Sequence, residues 1–201
     1  MITETMFAIP IGITQISQST CDKIKPLKGH HQHYVPKDLK HPYNILKDYP
    51  EIKREITNSF VTWVNGLLKI ETDWVMTTSW ITENSTGREI RRHNHKNCAY
   101  SGVLYFDKVD DSHGPLFFEN PLLIFSDFLF SSDSINEYHT GSYFVPPEEG
   151  RMIFFPSYLY HYQREYQPTS VPRRSLACNF FPIGNYGEQD SYINTNWLTN
   201  G

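Results

Sequence analysis

The sequence predicts a mainly β fold, an antiparallel barrel or sandwich, standing behind one N-terminal helix. Three observations predict it. From residue 74 onward, short runs rich in aromatic and β-branched residues alternate with Gly, Pro and Asn turns. Helical periodicity is strong only once, over 50–69. The 13 Tyr, 13 Phe, 13 Pro and 11 Gly suit sheets joined by many turns. A length of 201 residues fits one domain with a full core. We divide it into an N-terminal loop and support helix (1–72), a β core (73–182) and a polar tail (183–201).

Phe7 to Ile13 looks like a short opening strand. Residues 21–44 are polar and proline-containing and are expected to be loop, with Gly29-His30-His31-Gln32-His33 solvated at the surface. Pro50 and Glu51 suit a first helical turn, and Ile52, Ile56, Phe60, Trp63, Val64, Leu67 and Leu68 recur on one face that should pack on a sheet. Strands are expected over 74–82, 89–93, 100–106, 114–119, 142–145, 151–156 and 174–181. Asn84 to Gly87 and Pro146 to Gly150 are turns. The stretch 120–142, carrying Phe125, Phe128, Leu129 and Phe130, reads as an insertion that serves either as a lid or as a dimer surface.

A net charge of −4 gives no general attraction for nucleic acid or an anionic membrane. No apolar run approaches the roughly 20 residues that cross a bilayer. The opening residues lack the pattern of a signal peptide. Cys21, Cys98 and Cys178 are scattered and odd in number, which points to a reducing, cytoplasmic setting and not to a disulfide framework. Cys98 lies near a histidine pair, but an inert buried thiol is the expected role.

That pair is His93 and His95. Residues two apart on a strand share a face, so both can grip one ion, and the distant His161 can complete the site. Arg173, at the head of Arg173-Arg174-Ser175, can hold an anion deeper in the same pocket, since its planar fork meets a carboxylate bidentately. Ser175 and Asn179 share its face. Asn97, Tyr100, Asn179 and Trp80 either line that pocket or serve packing, and Tyr105 is either a polar partner or a core tyrosine. His113 and His139 sit on polar turns and are expected to do no chemistry.

The order of the pieces is the specific signal: His93-Asn94-His95, Ser101-Gly102-Val103-Leu104-Tyr105-Phe106, Gly114-Pro115-Leu116-Phe117-Phe118, Gly150-Arg151-Met152-Ile153-Phe154-Phe155-Pro156, His161 and Arg173-Arg174-Ser175. Over about 75–182 this resembles the 2-oxoglutarate/Fe(II)-dependent oxygenase superfamily, and within it a prolyl-hydroxylase-like branch of microbial and viral proteins. The resemblance implies a double-stranded β-helix, or jelly roll. It implies Fe(II) as cofactor and 2-oxoglutarate as co-substrate, with hydroxylation of a peptidyl or amino-acid side chain such as proline. His93 matches the first metal histidine and His161 the last. Arg173 matches the residue that pairs with the distal carboxylate, with Tyr105 and Ser175 beside it. Arg174 takes that role if the last strand is shifted by one residue.

One position departs from the pattern. The resemblance calls for Asp or Glu where this chain has His95. Either His95 is itself the third ligand, or a carboxylate such as Asp107 or Glu119 replaces it, or the site is degenerate. Two other classes stay open: a cupin-like three-histidine enzyme that does not use 2-oxoglutarate, and a barrel that only binds or supports.

Overall fold

The computed structural model describes residues 8–29, 37, 42–122 and 140–195. The expectations placed on His30, His31, His33, His139 and on Phe125 to Phe130 fall outside them. The elements, in chain order, are β1 (Gly12–Gln15), α1 (Gln18–Ile24), α2 (Pro50–Val61), β2 (Asp73–Asn84), β3 (Ile90–His93), β4 (Tyr100–Leu104), β5 (Leu116–Glu119), β6 (Ser142–Val145), β7 (Arg151–Pro156), β8 (His161–Gln163), β9 (Arg173–Ile183), β10 (Asn185–Tyr186) and β11 (Ile193–Asn194).

Two antiparallel sheets make the sandwich. The larger runs β1-β7-β4-β9-β2 and the smaller β3-β8-β5-β6. The strand order leaps repeatedly along the chain, which is the jelly-roll winding the sequence pattern implies. Side chains alternate across each strand, so the larger sheet has one face toward the helices and one toward the smaller sheet. Phe60 of α2 anchors the helix side, stacked on Phe180 of β9 at a centroid distance of 3.9 Å and edge-on to Phe154 of β7. Between the sheets, Val103, Ile153 and Phe155 meet Leu116, Phe118 and Val145.

Several elements differ from expectation. The opening strand is Gly12–Gln15 and not Phe7 to Ile13: pairing with β7 begins at Gly12, after Pro10, which has no N–H to give a ladder. Gly12 is required there, because a Cβ would sit 2.6 Å from the Trp63 ring. Part of the expected loop is α1, capped by the Ser17 hydroxyl, which accepts from the Thr20 N–H. After Val61 the helix widens into a π turn over Thr62–Leu67. That shift of phase keeps Trp63 and Val64 buried but turns Leu67 outward, 74% exposed. The polar tail is not structureless, since β10 and β11 form a hairpin.

One irregularity positions the site. The β2–β9 register slips between Met76 and Thr78, leaving Thr77 as an extra residue. Trp74 and Met76 join the helix-side core before it. After it the parity is reversed, so Trp80 and Thr82 face the interior between the sheets while Ile81 packs with the helices.

Candidate active site

His93 ends β3 and His161 opens β8, directly opposite one another in the smaller sheet. His95 lies beyond the end of β3, so a continuous strand does not present the pair. Its backbone N–H donates instead to the Ser157 carbonyl at 3.0 Å, in the turn after β7. The three rings still converge: their ligand atoms all lie within 4.8 Å of one another. Among the described residues no carboxylate joins them. Asp107 pairs with Arg174 at 3.0 Å and Glu119 with Arg92, so neither substitutes for His95.

The hydrogen bonds behind the rings fix which nitrogen is available. His93 Nδ1 lies 2.7 Å from the Arg91 carbonyl and His161 Nδ1 lies 3.1 Å from that of Leu159. A carbonyl only accepts, so each Nδ1 carries a proton, and in the neutral ring the lone pair then lies on Nε2. Burial pushes the His161 imidazolium pKa down to about 3, helped by His93 and His95 and opposed by the Leu159 carbonyl. Burial also lowers His95, against the bond to Asn179 and with a smaller push from His93. Neutral rings with lone pairs are what a divalent cation requires.

The rings open onto a cavity of about 100 Å³ whose wall includes Trp80, Thr82, Gln163, Arg173 and Ser175. Arg173 is 3% exposed. Its Nη2 donates to the buried Tyr105 hydroxyl, and its Nε has no partner. Burial raises the Tyr105 pKa although Arg173 opposes this, so the phenol stays protonated. A buried guanidinium with no described carboxylate beside it is costly unless an anion completes it. Gln163 Oε1 is likewise buried and unpartnered. The residues present therefore fit a cation at the histidines and an anion at Arg173.

Most of the sequence-predicted positions gather here: His93, His95, His161, Arg173, Ser175 and Trp80 line the cavity, and Tyr105 and Asn179 stand directly behind it. Arg174 does not. It points to the helix side, where it pairs with Asp107 and Glu83 and donates to the Lys25 and Leu27 carbonyls. The last strand is thus unshifted. Tyr100 is also outside: it alternates onto the helix face and packs against Phe60, Trp63 and Trp74. Asn97 is exposed in a left-handed turn at φ 58°. Cys98 is half-buried, not fully buried, and its thiol donates to the Lys96 carbonyl. His113 stands apart from the cavity as a buried, hydrogen-bonded histidine, 4% exposed with its Nδ1 3.1 Å from Asp110 Oδ1.

Sequence reasoning missed Thr82, Gln163, Ser101 and Thr78. Gln163 was findable, two residues from His161 and so on its face. Ser101 was findable too, since Tyr105 lies four residues on along one face. Thr78 was not, because the bulge reverses the parity that sequence would assign.

Comparison with known proteins adds a second line. A family model described as "Putative 2OG-Fe(II) oxygenase" matches residues 78–179. A prolyl-4-hydroxylase from Pseudomonas putida has a similar structure (TM-score 0.51, 16% identity, 88% of this chain and 89% of that one). So does HygX from Streptomyces hygroscopicus, solved with nickel and 2-oxoglutarate bound (TM-score 0.54, 12% identity, 87% and 82%). The chain spans 55% of an oxidoreductase of the 2OG-Fe(II) oxygenase family from Burkholderia pseudomallei, with 69% of itself covered at 14% identity and a TM-score of 0.45. No curated protein matches. At these identities the solved structures speak for the fold, and the family model for membership.

Proposed function

Because the chain belongs to the 2OG-Fe(II) oxygenase family, we propose that His93, His95 and His161 hold its Fe(II) and that Arg173, with Tyr105 and Ser175, receives the distal carboxylate of 2-oxoglutarate. One observation carries this reading: three converging imidazoles and a buried guanidinium with no described carboxylate beside it share one cavity. Iron and 2-oxoglutarate, when bound, would supply the oxidising chemistry together with dioxygen, one oxygen atom of which would enter succinate as carbon dioxide leaves while the other would hydroxylate a substrate C–H bond.

The chain supplies binding, orientation and dryness. Arg173 fixes the co-substrate by charge and by the fork of its guanidinium. The Tyr105 hydroxyl, accepting from Arg173, holds that fork in place. Trp80 and Val103 exclude water from the wall of the cavity. Three imidazoles bring no charge to the ion, so the anionic co-substrate and the cation should bind with strong mutual dependence. A cupin-like site without 2-oxoglutarate would leave Arg173 unexplained.

For the substrate we propose a peptidyl or amino-acid side chain, with proline the first to try. The fold likeness to the Pseudomonas putida prolyl-4-hydroxylase supports that choice. The test is an anaerobic titration with Fe(II) and 2-oxoglutarate. A metal-to-ligand charge-transfer band is expected, and His93→Ala or His161→Ala abolishes it. In air, proline peptides should gain one oxygen atom as succinate accumulates. Absence of the band in the unaltered protein would end the proposal.

A further inference from the structure

We infer that Asn179 sets the ring tautomer of His95, and by doing so makes an imidazole usable at the position where the family pattern has a carboxylate. The inference rests on His95 being a metal ligand. His93 and His161 have their tautomers fixed by backbone carbonyls. His95 has none. Its Nδ1 lies 2.6 Å from Asn179 Oδ1 and 2.9 Å from Ser101 Oγ. The amide accepts and the hydroxyl can do either, so this ring's proton could in principle sit on either nitrogen.

The surrounding bonds decide. Asn179 Nδ2 donates to Thr78 Oγ1 at 2.9 Å, and Oδ1 faces the ring. Without a proton on Nδ1, two acceptors would face each other at 2.6 Å, so Nδ1 carries it. Ser101 then sends its own proton to Asn179 Oδ1, at 2.8 Å, and is left to accept from Ser157 Oγ, also at 2.8 Å. With these directions Ser157, Ser101 and Asn179 each have a partner for the proton they donate, and the neutral His95 ring keeps its lone pair on Nε2. The bulge at Thr77 is what puts Thr78 opposite Asn179.

Remove the amide and the bias is lost. With Asn179→Leu, Ser101 is the only remaining partner at Nδ1. Its hydroxyl can accept from Nδ1–H or donate to a bare Nδ1, so the ring is divided between the two tautomers and the Nε2 lone pair is no longer secured. Asn179→Asp keeps the acceptor, and Thr78 can turn its hydroxyl to donate. Asn179 is therefore a positioning residue that acts through His95.

The test reads the ring directly, in the metal-free full-length chain, by long-range nitrogen–proton correlation of the histidine side chains. Unaltered protein and Asn179→Asp should show His95 protonated at Nδ1, and Asn179→Leu a mixture in which the Nε2 tautomer has gained. Co(II) affinity should fall about 10–100-fold in Asn179→Leu and be preserved in Asn179→Asp. A ring protonated at Nε2 in the unaltered protein, or an Asn179→Leu variant that keeps both the Nδ1 proton and its affinity, overturns the inference. If Asn179→Leu does not fold, Thr78→Val takes its place. It frees the amide to turn over, so a mixture of tautomers is expected and an unshifted ring is the contrary result. A protein with His95 protonated at Nδ1 that nevertheless binds no Co(II) leaves this inference standing and refutes the metal assignment instead.

Discussion

The two faces of strand β9 are built from alternate residues of one segment and could hardly differ more. On the helix side Arg174, Leu176, Cys178 and Phe180 meet protein partners: Arg174 reaches the carboxylates of Asp107 and Glu83 and two carbonyls, although its Nε makes no hydrogen bond, and Phe180 stacks on Phe60. On the cavity side Arg173 and Ser175 face an open space, with Asn179 behind it, and among the described residues no carboxylate pairs with Arg173. The neighbouring arginines carry the same charge one residue apart. The pleat turns one toward two carboxylates and the other toward the cavity. A missing counter-charge thus separates the two faces, and perturbing each side should produce different losses.

The largest effect on stability is expected on the helix side. Phe60→Ala removes a fully buried ring that touches Phe180, Phe154, Trp74 and Tyr100. Such truncations cost about 3–5 kcal/mol, measurable by denaturant unfolding. The folded fraction should still bind Co(II) normally. A fall in metal affinity as large as the fall in stability would show that the faces are coupled and break the comparison.

The arginine pair sharpens it. Arg173→Ala should weaken 2-oxoglutarate binding by about 1.5–3 kcal/mol, the range for hydrogen bonds to charged groups, with little loss of stability. Arg174→Ala should cost a similar amount of stability, because Asp107 and two carbonyls lose a donor, and should leave 2-oxoglutarate affinity unchanged. Isothermal titration and unfolding on the same two variants give a crossed result. If Arg174→Ala is the one that loses 2-oxoglutarate, the functional face has been assigned to the wrong side of the sheet. A third substitution probes the histidine end: His95→Asp should tighten iron retention by adding one negative charge beside the ion, read as slower loss of Fe(II) to a chelator.

How much of this was legible beforehand follows from what each feature depends on. The histidines, Arg173 and the jelly-roll order were readable because they rest on local periodicity and on the sequence of motifs. Alternation predicted that Arg173, Ser175 and Asn179 share a face, and they do. The same alternation puts Tyr100 on the face opposite Ser101, and Tyr100 accordingly packs against Phe60, Trp63 and Trp74 and not in the pocket. What could not be read depends on tertiary structure. The Thr77 bulge follows from pairing with β9 and not from any local signal. The π turn that exposes Leu67, and the three-residue strand β8, are too short to leave a period. The partners of His95 come from β9 and from the turn after β7, far along the chain.

The smallest of the predicted effects separates the faces by pH. On the cavity side the His161 pKa is held near 3 against an ordinary 6.5. Between those values the unfolded chain carries a proton that the folded chain refuses. Stability therefore falls as pH drops below 6.5, by up to about 1.4 kcal/mol per unit, or about 2 kcal/mol by pH 5, for the metal-free protein. His95 pushes in the same direction. On the helix side the buried titratable groups are thiols, Cys21 raised to about 11 and Cys178 raised further, and both are neutral in either state throughout this window. The depressed carboxylates, Glu55, Glu119 and Glu149, begin to matter only as pH approaches their ordinary 4.5. The interval from 6.5 down to about 5 consequently isolates the histidine face. Denaturant unfolding of the metal-free chain across it should slope downward with acid, and His161→Gln should remove most of the slope. A slope that survives that substitution would mean the proton is being taken up elsewhere in the unfolded chain, and the assignment of the acid-sensitive face to His161 would fail.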